Sequence, residues 1–132
     1  RKRLAKSDEY LEAAYSDLQR HAPTPAAGAA YYAAYHAAIA YLRCCNTGPG
    51  HRGRWDHGHV QTRFVRQARA SGHPELAVAF ERLYTARIVA DYQLRFLREN
   101  EGRDAVQYAE SVIAFCKVEV SNLPGPATQQ RP

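Results

Sequence analysis

Between about residues 26 and 45 the chain is rich in alanine, and its larger side chains fall at helical spacing. Tyr31, Tyr35, Ala38 and Leu42 line one side, with Tyr32, His36 and Ile39 beside them. Small side chains let neighbouring helices approach closely, while the tyrosines supply most of the area such a helix can bury. A segment of this kind belongs inside a helical bundle, and the rest of the chain agrees. Pro23 and Pro25, the stretch 46–50, Gly72 with Pro74, Gly102 and the run Pro124-Gly125-Pro126 read as breaks. No segment between them shows sustained strand alternation.

Leu4, Leu11 and Leu18, with Ala14 and Tyr15, make one stripe on a first helix. A short third helix is expected from near His59, with Val60, Phe64 and Ala68 facing one way and Arg63, Arg66 and Arg69 the other. A fourth follows Pro74 and carries the stripe Leu76, Phe80, Leu83, Arg87, Ala90, Leu94, Leu97. The last, over about 103–122, presents Ala109, Val112, Cys116 and Val120. A length of 132 residues allows one domain. The expectation is an all-α, up-down antiparallel bundle of four to five helices over residues 1–123, with 124–132 a disordered tail.

Several function classes drop out. No apolar run approaches the ~20 residues of a membrane span, and neither a dinucleotide-binding glycine pattern nor a P-loop occurs. The net charge of +5 is concentrated: Arg43, Arg52, Arg54, Arg63, Arg66 and Arg69 face a single acid, Asp56, between residues 43 and 69. A confined basic patch is the electrostatic footprint of a polyanion partner, or else a solvated Arg-rich loop. Three cysteines, two of them adjacent at Cys44 and Cys45, argue against a disulfide framework and for a reducing cytoplasm. The chain opens on Arg1 and contains no Met, so the natural N-terminus is expected upstream.

Arg87 stands out because it interrupts an apolar stripe, and a guanidinium in a core must be paired and hydrogen-bonded. Asp91, four residues on, can pair with it from the same helix face. Arg87 is therefore either a strut that fixes helix register or a phosphate-binding group aimed into a cleft. His36 reads as a core or boundary residue or as a general base. His51, His57 and His59 cluster around Trp55 and Asp56, but their spacing matches no closed zinc site, so no metal and no cofactor is expected. No serine or cysteine nucleophile signature appears, and the tyrosines of the second helix read as core rather than as a base-stacking platform.

Three motifs in order resemble one family: Tyr31-Tyr32-Ala33-Ala34-Tyr35-His36-Ala37-Ala38, then Asp56-His57-Gly58-His59-Val60 with Phe64, then Arg87-Ile88-Val89-Ala90-Asp91-Tyr92. With Tyr10-Leu11-Glu12-Ala13-Ala14 and Asp17-Leu18, they are similar to the bacterial and archaeal branch of the HEPN superfamily. The resemblance implies a helical bundle that forms homodimers with the motif helices near the two-fold axis. It further implies either a metal-independent endoribonuclease, typically a toxin paired with a nucleotidyltransferase antitoxin, or a non-catalytic RNA- or nucleotide-binding module. The ribonuclease motif is Arg followed by His after four to six residues. Arg87 matches the Arg, whereas the His window holds Tyr92, Gln93 and Leu94. The expected reading is an RNA-binding component of a toxin–antitoxin or defence-type system, weakly catalytic or inactive. Alternatives are an active ribonuclease built from Arg87, Asp91, Tyr92 and His57, or a dimerisation module of a longer nucleotidyltransferase-linked protein.

Overall fold

A computed structural model describes residues 2–92 and 95–122. Five α-helices, α1 (Lys2–Gln19), α2 (Pro23–Cys44), α3 (His57–Ala70), α4 (Pro74–Tyr92) and α5 (Glu99–Asn122), are joined by short connections and one 3-10 turn at His51–Gly53. No strand occurs among the described residues, and none of their helices is long and apolar enough to cross a membrane. The tail expected at 124–132 lies outside the described residues, as does Leu94.

Several boundaries differ from expectation for identifiable reasons. Pro23 and Pro25 begin α2 rather than break the chain before it, because the first-turn N–H groups have no intrahelical partner to lose. Gly102 lies inside α5, not at its start. A Cβ there would sit 2.6 Å from Pro23 Cβ and 2.8 Å from Pro23 Cα, so the glycine is where α5 touches the opening turn of α2. Leu97, expected on the fourth helix, lies outside α4 and α5 yet is buried, and its N–H donates to Thr24 Oγ1 at 2.8 Å. On α1 the leucine stripe is only half-buried; the buried positions are Ser7, Ala14 and Asp17. Ser7 Oγ donates to the Ala33 carbonyl at 2.7 Å, a bond possible only where small residues let two helices meet.

Helix α2 packs against all four others and supplies the largest share of the core. Contacts fix the directions. Asp8 pairs with Lys117 and Tyr15 donates to Glu110, so α1 and α5 are antiparallel. Arg3 meets His36 where Ser7 meets Ala33, so α1 and α2 are antiparallel too. The exception to the up-down order is α3, which meets Tyr31 at His57 and Tyr41 at Phe64 and so runs in the same sense as α2. Residues 45–56 make this possible by returning along α2. Asn46, at φ 61°, ends α2, and the Thr47 N–H donates to the Leu42 carbonyl at 2.9 Å. The return is then stapled in place. The Tyr35 hydroxyl donates to the Trp55 carbonyl, Arg43 lies 5.8 Å over the Trp55 ring, and His59 Nε2 bonds the Gly48 carbonyl at 3.0 Å. Gly50 fits because a Cβ would meet the His59 ring at 2.9 Å.

The Gly102 contact yields a prediction in which two effects oppose. Ala in a helix is favoured over Gly by roughly 0.5–1 kcal/mol, whereas forcing a methyl onto Pro23 costs about 2 kcal/mol, since backbone atoms must move. Gly102→Ala is therefore expected to lower Tm by roughly 4 °C. A higher Tm in a thermal melt contradicts the packing described for the α2–α5 junction.

Candidate functional site

The site is built around Tyr31, which is fully buried with its ring among Tyr32, Tyr35, His57, Phe80 and Tyr84. A buried hydroxyl must find a hydrogen-bond partner. The Tyr31 hydroxyl meets His57 Nδ1 at 2.8 Å, across from α2 to the first residue of α3. Burial pushes the Tyr31 hydroxyl well above its ordinary range, so it stays protonated. A neutral hydroxyl both donates and accepts, so the bond satisfies Tyr31 with His57 in either neutral tautomer. Burial, and then the charge of Arg87, hold the His57 pKa below its usual value, against the opposing pull of Asp56 and Asp91.

Arg87 enters from α4. It is 9% exposed, and its Cζ lies 5.4 Å from the Tyr31 ring centre, 5.8 Å from Tyr32 and 5.9 Å from Tyr92. Its covering is thin, because Tyr32 is half-buried and Tyr92 is 66% exposed. Asp91 Oδ2 is 3.3 Å from Arg87 Nε, close enough to attract, but off the line of the N–H. Nε is consequently buried with no hydrogen-bond partner among the described residues. A strut that only fixed helix register would satisfy that donor, and this one does not.

Of the residues expected from sequence, Arg87, Asp91, Tyr92 and His57 therefore meet in one place, with Tyr31 as the link between His57 and Arg87. The basic residues do not join them in one cluster. Arg43 lies on Trp55; Arg52 and Arg54 are exposed on the return connection; Arg63, Arg66 and Arg69 project from the outer face of α3. Arg66 and Arg69 line an open groove with Gln61, Thr62, Val65 and Glu81, and Arg69 is 3.6 Å from the Glu81 carboxylate. The three loop-side histidines are used separately, His57 by Tyr31 and His59 by Gly48, while His51 is exposed.

The residues missed from sequence are the tyrosines. Tyr31 is core, as expected, but Tyr32 and Tyr35 are half-exposed members of the site.

The HEPN domain profile matches residues 1–119. The chain belongs to the HEPN family. The crystal structure of a protein from Sulfolobus solfataricus superposes with a TM-score of 0.72 at 18% identity, over 87% of this chain and 96% of that one, a likeness of fold. No curated protein matches the sequence. Arg87 of α4 and His57 at the start of α3 both meet Tyr31, the guanidinium over its ring and the imidazole at its hydroxyl.

His36 flanks the same region. Arg3 Nη1 donates to its Nδ1 at 2.9 Å, and burial, then Arg3 and Lys6, pull its pKa from 6.5 to about 4. The unfolded chain therefore binds a proton that the folded protein refuses between those two values, so stability falls as pH is lowered through that window. His36→Gln is expected to flatten the drop in Tm between about pH 6.5 and 4 relative to wild type. Parallel curves for the two proteins refute the assignment.

Proposed function

We propose that this HEPN domain binds RNA, with Arg87 gripping a backbone phosphate and the arginines of residues 43–69 adding salt-dependent affinity. The observation that carries the reading is the Nε of a nearly buried guanidinium, without a hydrogen-bond partner among the described residues and lying beneath a thin cover of tyrosines. A guanidinium has five N–H donors in a fixed fork and suits phosphate oxygens. Arg43, Arg52, Arg54, Arg63, Arg66 and Arg69 are all exposed, and the segment that carries them holds one acid, Asp56, so its net charge attracts a polyanion.

The same geometry argues for slow cleavage or none. Attack by a 2′-hydroxyl needs a proton acceptor. His57 Nδ1 is engaged with the Tyr31 hydroxyl, which leaves one ring nitrogen for a ligand. Asp91 faces Arg87, and a guanidinium is a poor base. Arg87 would stabilise a charged phosphate without starting its cleavage. In line with its family, the protein is proposed to act as a homodimer in a toxin–antitoxin or defence-type setting, with a nucleotidyltransferase as partner. The placement of His57 beside the Arg87 cluster is the one feature that favours the ribonuclease reading.

Fluorescence anisotropy with labelled single-stranded RNA in EDTA tests this. Binding is expected at low salt, weakening with a slope of roughly −0.7 in log affinity per phosphate neutralised. Arg87→Met, which keeps the packing volume, is expected to weaken binding at least about tenfold, and Arg63→Ala or Arg66→Ala to reduce the salt slope. The RNA should remain intact on a denaturing gel. Absence of binding at low salt refutes the proposal, and multiple-turnover cleavage abolished by His57→Ala establishes the ribonuclease instead.

A further inference from the structure

The two histidines of this region are anchored in ways that treat an incoming proton differently. His36 accepts at Nδ1 from Arg3, a group that can only donate, so a proton on that nitrogen would break the bond and set two cations side by side. His57 is anchored at Nδ1 by the Tyr31 hydroxyl at 2.8 Å, and a hydroxyl can turn. It donates to a neutral imidazole and accepts from an imidazolium, so His57 can gain a proton with its anchor intact. The imidazole is half-buried, which leaves it open to exchange with water. Three sets of groups face it. Helix α2 presents only uncharged rings, Tyr31 at 5.4 Å, Tyr32 at 5.6 Å and Tyr35 at 4.8 Å. Asp56, next to it in the chain, and Asp91 on α4 favour the protonated form. Burial and then Arg87 on α4 oppose it and prevail. Of these influences, the charge of Arg87 is the one a bound anion would cancel. The guanidinium lies 5.4 Å from the centre of the ring whose hydroxyl holds His57.

We propose that His57 takes up a proton when an anion binds at Arg87, so that the affinity of this site for phosphate rises as the pH falls. The inference rests on the phosphate-binding reading above and adds its regulation. The coupling is reciprocal. An anion at Arg87 offsets the positive charge that keeps His57 neutral, and an imidazolium in turn places a second cation beside the anion. The complex therefore holds the proton up to a higher pH than the free protein does. Affinity rises as pH is lowered between those two limits and levels off beyond both, with a slope no steeper than about −1 in log affinity per pH unit, because one proton is linked. His36 takes no part, since burial, then Arg3 and Lys6, hold it neutral down to about pH 4.

The test follows the imidazole signals of the whole protein by NMR as a function of pH, with His57 assigned by the signal that His57→Gln removes. The titration is run on the free protein and on the protein saturated with the labelled RNA used above. RNA is expected to move the His57 midpoint to higher pH. Arg87→Met should raise the midpoint of the free protein and remove most of the further rise on RNA binding. By anisotropy, affinity should increase about 3- to 10-fold more between about pH 7.5 and 5.5 in wild type than in His57→Gln, a comparison that subtracts the contribution of the other histidines. If RNA binds but leaves the His57 midpoint in place, or raises it equally in Arg87→Met, the coupling is refuted and the phosphate site stands or falls on its own test. If wild-type protein binds no RNA at low salt, the underlying reading fails and the coupling with it.

Discussion

A single buried hydroxyl organises this molecule. Tyr31 is enclosed on every side, and its O–H must be satisfied inside the bundle. The bond to His57 does so by tying the middle of α2 to the first residue of α3. That bond orders two things together. It fixes where α3 begins, and thereby the packing of Phe64 on Tyr41 and Phe80. It also takes up Nδ1 of the imidazole, and so leaves Nε2 as the nitrogen that His57 can offer a ligand.

Arg87 is the counterpart on α4. Aromatic faces compensate a buried guanidinium only in part, each contact being worth about 0.5–2 kcal/mol. Asp91 adds attraction at 3.3 Å without taking the Nε proton. The result is a cation that is held in place and desolvated but not fully satisfied, the condition in which an incoming anion gains most. In a bundle whose other buried polar side chains on α1 are matched, as Ser7 is by the Ala33 carbonyl and Asp17 by Arg20, the unspent donor is conspicuous.

Much of this was legible from the sequence, for reasons that can be named. Helical period and the Gly72-His73-Pro74 break fixed α3 and α4, because a left-handed glycine at φ 82° and a first-turn proline each have few alternatives. The burial of Val60, Phe64 and Ala68 on α3 and of Ala109, Val112 and Cys116 on α5 followed from spacing alone, as did that of Arg87 beside Asp91. The Pro23 and Gly102 readings failed because both residues punctuate a sequence in two ways. A proline opens a helix as readily as it ends one, and a glycine marks a close approach as readily as a turn. The direction of α3 was hidden because it depends on contacts of Trp55, Gly50 and His59 that no periodicity encodes. The tyrosines were misjudged for a related reason: a ring at helical spacing looks the same whether its outer face meets another helix or water.

The return connection has a geometric corollary. From Tyr31 to the end of α2 at Cys44 the helix rises about 20 Å, at 1.5 Å per residue. A tight turn after Cys44 would start the next helix at that distance from the tyrosine, and the imidazole would be stranded at the other end of the bundle. Residues 45–56 supply the slack that carries it back. Loop length here acts as a ruler: it is what lets two residues 26 positions apart in sequence become neighbours, and trimming it would dismantle the site while leaving every one of its side chains in the chain.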